Sequence, residues 1–220
     1  MSGLSSRVIC YTGPRGSGKS LAMTKSAMKY MAHRIPCWSN CGIHFEVSSL
    51  GNGRPGGYFE SLPFDINAFR AFEQEYTDGV VCIDEVPLWA DSRRSMSVAN
   101  ILLNKVFTLI RKRNLVVLLT AQSEDWLDNR IKFQIDALVH CYDLSYLNHN
   151  FKKGTMIAMT IMDKSGIYRG RPGFTWQRTL KGAQKYWDCF NSWQEQDPVQ
   201  AMADIRIERR LPREDEGIIS

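Results

Sequence analysis

Four short, largely apolar runs mark the first two thirds of the chain: Val8-Ile9-Cys10-Tyr11, Val80-Val81-Cys82-Ile83, Leu115-Val116-Val117-Leu118-Leu119, and Ile135 to Cys141. The first three are apolar at consecutive rather than alternate positions, the pattern of strands buried on both faces. Pro36-Cys37-Trp38-Ser39-Asn40 reads as a further strand. Between these runs the period lengthens to that of helices. Leu21, Met28 and Ile35 share one stripe, and Leu102, Leu103, Val106, Phe107 and Ile110 share one within Val98 to Arg113. Shorter helices are predicted over Asp65 to Tyr76, with Asp65 as N-cap, and near Glu124 to Phe133. The turn residues of Gly51 to Gly57 predict a loop. Strands alternating with helices define an α/β fold with a mostly parallel sheet covered on both faces. From about Thr155 the rhythm becomes that of a hairpin, with turn signals at Gly166, Gly170 and Pro172-Gly173. Tyr186, Trp187, Phe190 and Trp193 then predict a helix docked by an aromatic face. Two regions of one domain are expected: a core over 1–150, and a hairpin and helix addition over 151–220 with a polar tail.

Composition narrows the class. The chain has 220 residues, 44% hydrophobic and 23% charged, enough for one globular domain with a modest elaboration. No apolar run approaches the ~20 residues of a membrane span. The first residues lack the basic and then apolar regions of a signal peptide. Six cysteines are too sparse for a disulfide framework and read as reduced thiols in a cytosol. Methionines 23, 28 and 31 read as helix packing, and His140 and Cys141 as core. Cys37 and Cys41 lack a second pair at zinc-site spacing. Net charge is only +5, yet residues 151–185 hold Lys152, Lys153, Lys164, Arg169, Arg171, Arg178, Lys181 and Lys185 against Asp163 alone. Interleaved with Tyr168, Phe174 and Trp176, these cations suit either a phosphate-tracking surface or a solubilising face.

Gly13-Pro14-Arg15-Gly16-Ser17-Gly18-Lys19-Ser20 is a complete P-loop, placed after a predicted strand and before a helix that continues with Leu21. Its glycines let backbone N–H groups turn around phosphates, and the helix N-terminus adds partial positive charge. Lys19 is positioned for the β- and γ-phosphates of ATP, and the Ser20 hydroxyl for Mg²⁺. Asp84-Glu85 closes the Val80–Ile83 run at a strand end, where ligands meet an open α/β sheet. Asp84 is expected to hold Mg²⁺ through its water shell, and Glu85 to orient and deprotonate the attacking water. An acid directly after the metal-binding aspartate favours hydrolysis over transfer to a metabolite. No guanine-reading Asn/Thr-Lys-x-Asp element follows, which argues against a GTPase. The interval between Lys19 and Asp84 leaves room for an additional strand. That suits the RecA-like division of P-loop NTPases, where the two motifs lie on non-adjacent strands.

The P-loop, Asp84-Glu85, and Arg111-Lys112-Arg113-Asn114 before a strand ending Thr120-Ala121-Gln122 resemble the FtsK/HerA superfamily over residues 7–142. The sequence is most similar to two viral branches, the genome-packaging ATPases and the zonula-occludens-toxin-like phage assembly ATPases. The resemblance implies ATP hydrolysis coupled to translocation of double-stranded DNA by a homo-oligomeric ring. It implies a capsid or portal-vertex protein as partner, and a location in the host cytoplasm or on the virion. It makes Gln122 the γ-phosphate sensor, where a polar residue capping the following helix region is the lesser alternative. It makes Arg111 an arginine finger acting in a neighbouring subunit, with Arg113 as substitute, although basic residues also gather at helix C-termini for the macrodipole. Asp91 to Ser97 resembles a stretch of some viral members that presents Arg93 or Arg94, and also fits a solvated loop capped by Ser97. Pro36 to Asn40 followed by Gly42-Ile43 resembles the toxin-like branch, and the alternative it implies is an assembly or export ATPase.

Overall fold

In the computed structural model, residues 7–49, 55–64, 76–86, 110–165 and 173–191 are described. The strands are β1 (Arg7–Thr12), β2 (Cys37–Ser39), β3 (His44–Ser49), β4 (Pro55–Glu60), β5 (Leu62–Pro63), β6 (Val80–Ile83), β7 (Val116–Ala121), β8 (Ala137–Asp143), β9 (Met156–Asp163) and β10 (Thr175–Lys181). Eight form one sheet in the order β10-β9-β8-β1-β7-β6-β2-β5, and β3 and β4 form a separate antiparallel pair. From β8 to β5 every pairing is parallel. β9 and β10 continue the sheet antiparallel. This is the RecA-like P-loop NTPase architecture, with β7 inserted between the strand before the P-loop and the strand before Asp84.

Alternate residues of the central strands feed two cores. Val81, Ile83, Val117 and Leu119 join Leu127, Ile131 and Ile135 on one face. Val80, Cys82, Val116 and Leu118 join Leu21, Ala22, Met23, Ala27 and Met31 of helix α1 (Lys19–Ala32) on the other. Consecutive apolar residues are needed because both faces are covered. The methionine reading holds, with Met23 and Met31 buried in this core.

β8 marks where double coverage stops. Val139, Cys141 and Asp143 are buried, whereas His140 is exposed rather than core, because only one face of this strand is fully covered. In β10 only Leu180 is buried.

Three local expectations need correction. The Glu124–Phe133 helix is broken into a 3₁₀ turn (Glu124–Trp126) and α2 (Asn129–Lys132). Ser123 caps the first and Asp128 the second, and these side-chain caps hold Leu127 extended and buried between them. Pro55-Gly56-Gly57 is strand, not loop, because Gly57 pairs with Val47 and Pro55 with Ser49. The aromatic helix is a 3₁₀ segment (Ala183–Cys189) opened by Gly182 at φ 62°. Three residues per turn bury Ala183 and Tyr186 while Trp187 is 53% exposed, and Phe190 is already extended against Ile43. Of the predicted helices over 65–76 and 98–113, only Tyr76, in a bend, and residues 110–113, in a turn, are described. Trp193, the Asp91–Ser97 stretch with Arg93 and Arg94, and the hairpin turn with Arg169 and Arg171 lie outside the described residues. Among the described residues, no helix is long and apolar enough to cross a membrane.

Candidate nucleotide site

β1 delivers the chain to the carboxyl edge of the sheet, where Gly13 turns at φ 141° and donates its N–H to the Gln122 carbonyl at 3.2 Å. A side chain at Gly13 would press on the Cys141 carbonyl and on Ser17 Oγ, so the loop admits only glycine there. Gly18, at φ 86°, is the N-cap of α1. Lys19 is buried, and its ammonium donates to the Pro14 carbonyl at 3.0 Å. Burial lowers its pKa from the ordinary lysine value, opposed by the charges of Asp84 and Glu85. The Ser17 hydroxyl is buried without a hydrogen-bond partner among the described residues, a donor left for a ligand.

Asp84 is held on all sides. The Ser20 hydroxyl donates to its two carboxylate oxygens at 2.9 and 3.1 Å, and the Thr120 hydroxyl donates to Oδ1 at 2.5 Å. The Asn40 side chain donates to the Asp84 carbonyl at 3.0 Å and accepts its N–H at 2.8 Å. Thr120 Oγ1 also accepts the Glu85 N–H at 2.8 Å. Glu85 takes φ 54°, uncommon outside glycine, a conformation held by that hydrogen bond. Ser20 and Asp84 thus offer hard oxygen donors side by side, a set that fits Mg²⁺.

The P-loop opens into a cavity of about 640 Å³, also lined by Glu85 and by residues after β8: Asp143, Lys153, Gly154, Trp187, Asp188 and Phe190. Lys19, Ser20, Asp84 and Glu85 are therefore brought together, and the Gln122 backbone abuts Gly13. Arg111 is elsewhere. It is 77% exposed at the amino end of β7, 3.9 Å from the Asp136 carboxylate. The length of β7 separates it from the P-loop, ~20 Å at the usual strand rise. The Arg113 carbonyl accepts the Asp78 N–H beside it.

Sequence reading missed the roles of Asn40 and Thr120 as the clamp on Asp84, and the whole contribution from beyond β8. Asn40 follows β2, whose Ser39 is in register with Cys82 of β6. A polar residue immediately after a buried strand, at the phosphate edge of the sheet, was the available signal.

No family model matches the chain, and no curated protein does. Solved structures do. The N-terminal domain of zonular occludens toxin from Neisseria meningitidis is 16% identical with a TM-score of 0.53, over 84% of this chain and 99% of that one. The genome packaging NTPase B204 from Sulfolobus turreted icosahedral virus 2, in complex with ATP-gammaS, is 15% identical with a TM-score of 0.51, over 77% and 96%. A further ATPase domain is 11% identical with a TM-score of 0.52, over 84% of each chain. At these identities the likeness is one of fold, and it is to P-loop NTPases.

Proposed function

We propose that this protein is an ATP-hydrolysing motor that moves double-stranded DNA without reading its sequence, in the manner of a viral genome-packaging ATPase. One observation carries the hydrolytic part: Ser20 of the P-loop touches Asp84 at the end of β6, with Glu85 next to it. Mg²⁺ held by Ser20 and Asp84 would neutralise charge on the β- and γ-phosphates. Lys19, Ser17 and the loop N–H groups bind the phosphate chain. Thr120 and Asn40 fix Asp84 and the Glu85 backbone, so Glu85 is set to take a proton from water as its oxygen attacks the γ-phosphorus. The bond to the bridging oxygen breaks, and ADP leaves. Gln122 is assigned to sensing the γ-phosphate. Arg111, far from its own P-loop and exposed, is assigned to the site of a neighbour in a homo-oligomeric ring.

For DNA, the support is a cationic patch. Lys25 on α1 has its pKa lowered by burial and by the nearby charges of Lys29, Lys185 and Arg178. These cations suit a phosphate backbone. B204 is a genome packaging NTPase, which agrees with this reading. A capsid or portal-vertex protein would then be the docking partner. The test is ATP hydrolysis with and without duplex DNA across a salt series. We expect stimulation, with log affinity falling linearly against log salt at about −0.9 per neutralised phosphate. Replacing Lys29, Arg178 and Lys185 by Ala should flatten that slope. The likeness to the toxin domain favours a second reading, an assembly or export ATPase of that type. Absence of DNA binding by the ATP-bound assembly at any salt selects it.

A further inference from the structure

We infer that the segment beyond β8 carries the nucleoside half of the site, with the Trp187 indole as the platform on which the nucleobase stacks and Lys153 as a second phosphate cation. The inference rests on the reading of the P-loop as an ATP site. The sheet order sets the direction. The acids that act at the γ-phosphate come from β6, beyond β7 on one side of β1. A nucleotide whose terminal phosphate faces that side must extend its sugar and base toward the other, where β8, β9 and the Ala183–Cys189 segment stand.

That side is built as a site. Asp143, fully buried at the end of β8, accepts the Ser145 N–H at 2.9 Å and the Gly154 N–H at 2.6 Å, drawing the 144–155 loop across the P-loop. Gly154 turns at φ 73°, and a side chain there would lie 2.7 Å from Trp187 Cζ2, so the indole is seated on bare backbone. The Ala183 N–H donates to the Thr155 carbonyl at 2.9 Å, tying the tryptophan's own segment to that loop. A Cβ at Gly16 would lie 3.7 Å from Lys153 Nζ, which places this ammonium beside the phosphate loop. The indole is half-exposed and lines the cavity it shares with the P-loop, and an aromatic ring placed so can stack on any base.

The probes are ATP and inorganic tripolyphosphate, each binding to the full-length chain measured by equilibrium dialysis with Mg²⁺. Trp187→Ala should weaken ATP about tenfold or more and leave tripolyphosphate within twofold, while Trp187→Phe restores most of the ATP affinity. Lys153→Ala should weaken both ligands, because its partner is phosphate. Unchanged tripolyphosphate binding also shows that Trp187→Ala has kept the P-loop folded. Equal losses for both ligands in Trp187→Ala and Trp187→Phe, or no loss in either, overturn the stacking role. An unmutated protein that binds neither ligand overturns the nucleotide reading itself.

Discussion

The two sides of β1 obey opposite rules. Toward β7, β6 and β2 the strands are parallel and buried on both faces, and they end in a clamp of hydroxyl, amide and carboxylate groups around Asp84. Toward β9 and β10 they turn antiparallel, expose more with each step, and end in a loop pinned by one buried carboxylate. Chemistry needs fixed charge at defined positions, which a doubly covered strand end supplies. Holding a base needs a flat surface at the right height, which a half-covered strand and a short 3₁₀ segment can offer.

The largest effects should fall on the first side. Lys19→Ala should lower turnover by about a thousandfold or more, because it removes the charge assigned to the phosphates. Glu85→Gln should stop turnover while ATP still binds. Substantial hydrolysis by Glu85→Gln would show that another group activates the water. Arg111→Ala should cost about a thousandfold, but in a way the other variants do not. Mixing it with Glu85→Gln protein should recover part of the turnover, since some interfaces then pair an intact finger with an intact site. A mixture that remains dead although mixed rings form would make Arg111 a residue of its own fold, paired to Asp136.

A smaller change should come from Thr120→Val, which removes the donor to Asp84 and the acceptor of the Glu85 N–H. Stability should drop by about 1–3 kcal/mol for the orphaned groups. Turnover should fall with little change in ATP affinity, measured by calorimetry beside steady-state kinetics. The smallest effect is a map of thiol reactivity. Burial pushes Cys10, Cys41 and Cys141 up to about 12, while Cys189, partly exposed and beside Asp188, is raised less. A raised thiol pKa leaves less thiolate at a given pH, so iodoacetamide at pH 8 should label Cys189 first and spare the others until unfolding. Early labelling of Cys10 or Cys41 would mean the doubly covered side opens more readily than its burial indicates.

What was legible in the sequence was local. The P-loop is one contiguous segment and Asp84-Glu85 another, so their chemistry shows without knowledge of the fold. The α/β class followed from runs such as Val80–Ile83, whose consecutive apolar residues require two covered faces. Asn40 and Thr120 reach Asp84 only through the register of β2 and β7 with β6, which no window of sequence displays. Trp187 belongs to an aromatic pattern that reads as a 3.6-residue period. The segment turns every three residues, so its ring leaves the buried stripe and stands at the cavity.

The close seating of the phosphate loop has a consequence for modularity. A side chain at Gly18 would lie 2.5 Å from Ile157 Cδ1, and one at Gly13 would press on the carbonyl of Cys141. β8 and β9 are therefore the bed on which the loop rests, and β9 lies beyond Asp143 although it carries no signature of its own. Cutting the chain near residue 150, or grafting another hairpin there as a cassette, would unseat the most recognisable eight residues of the protein without altering one of them.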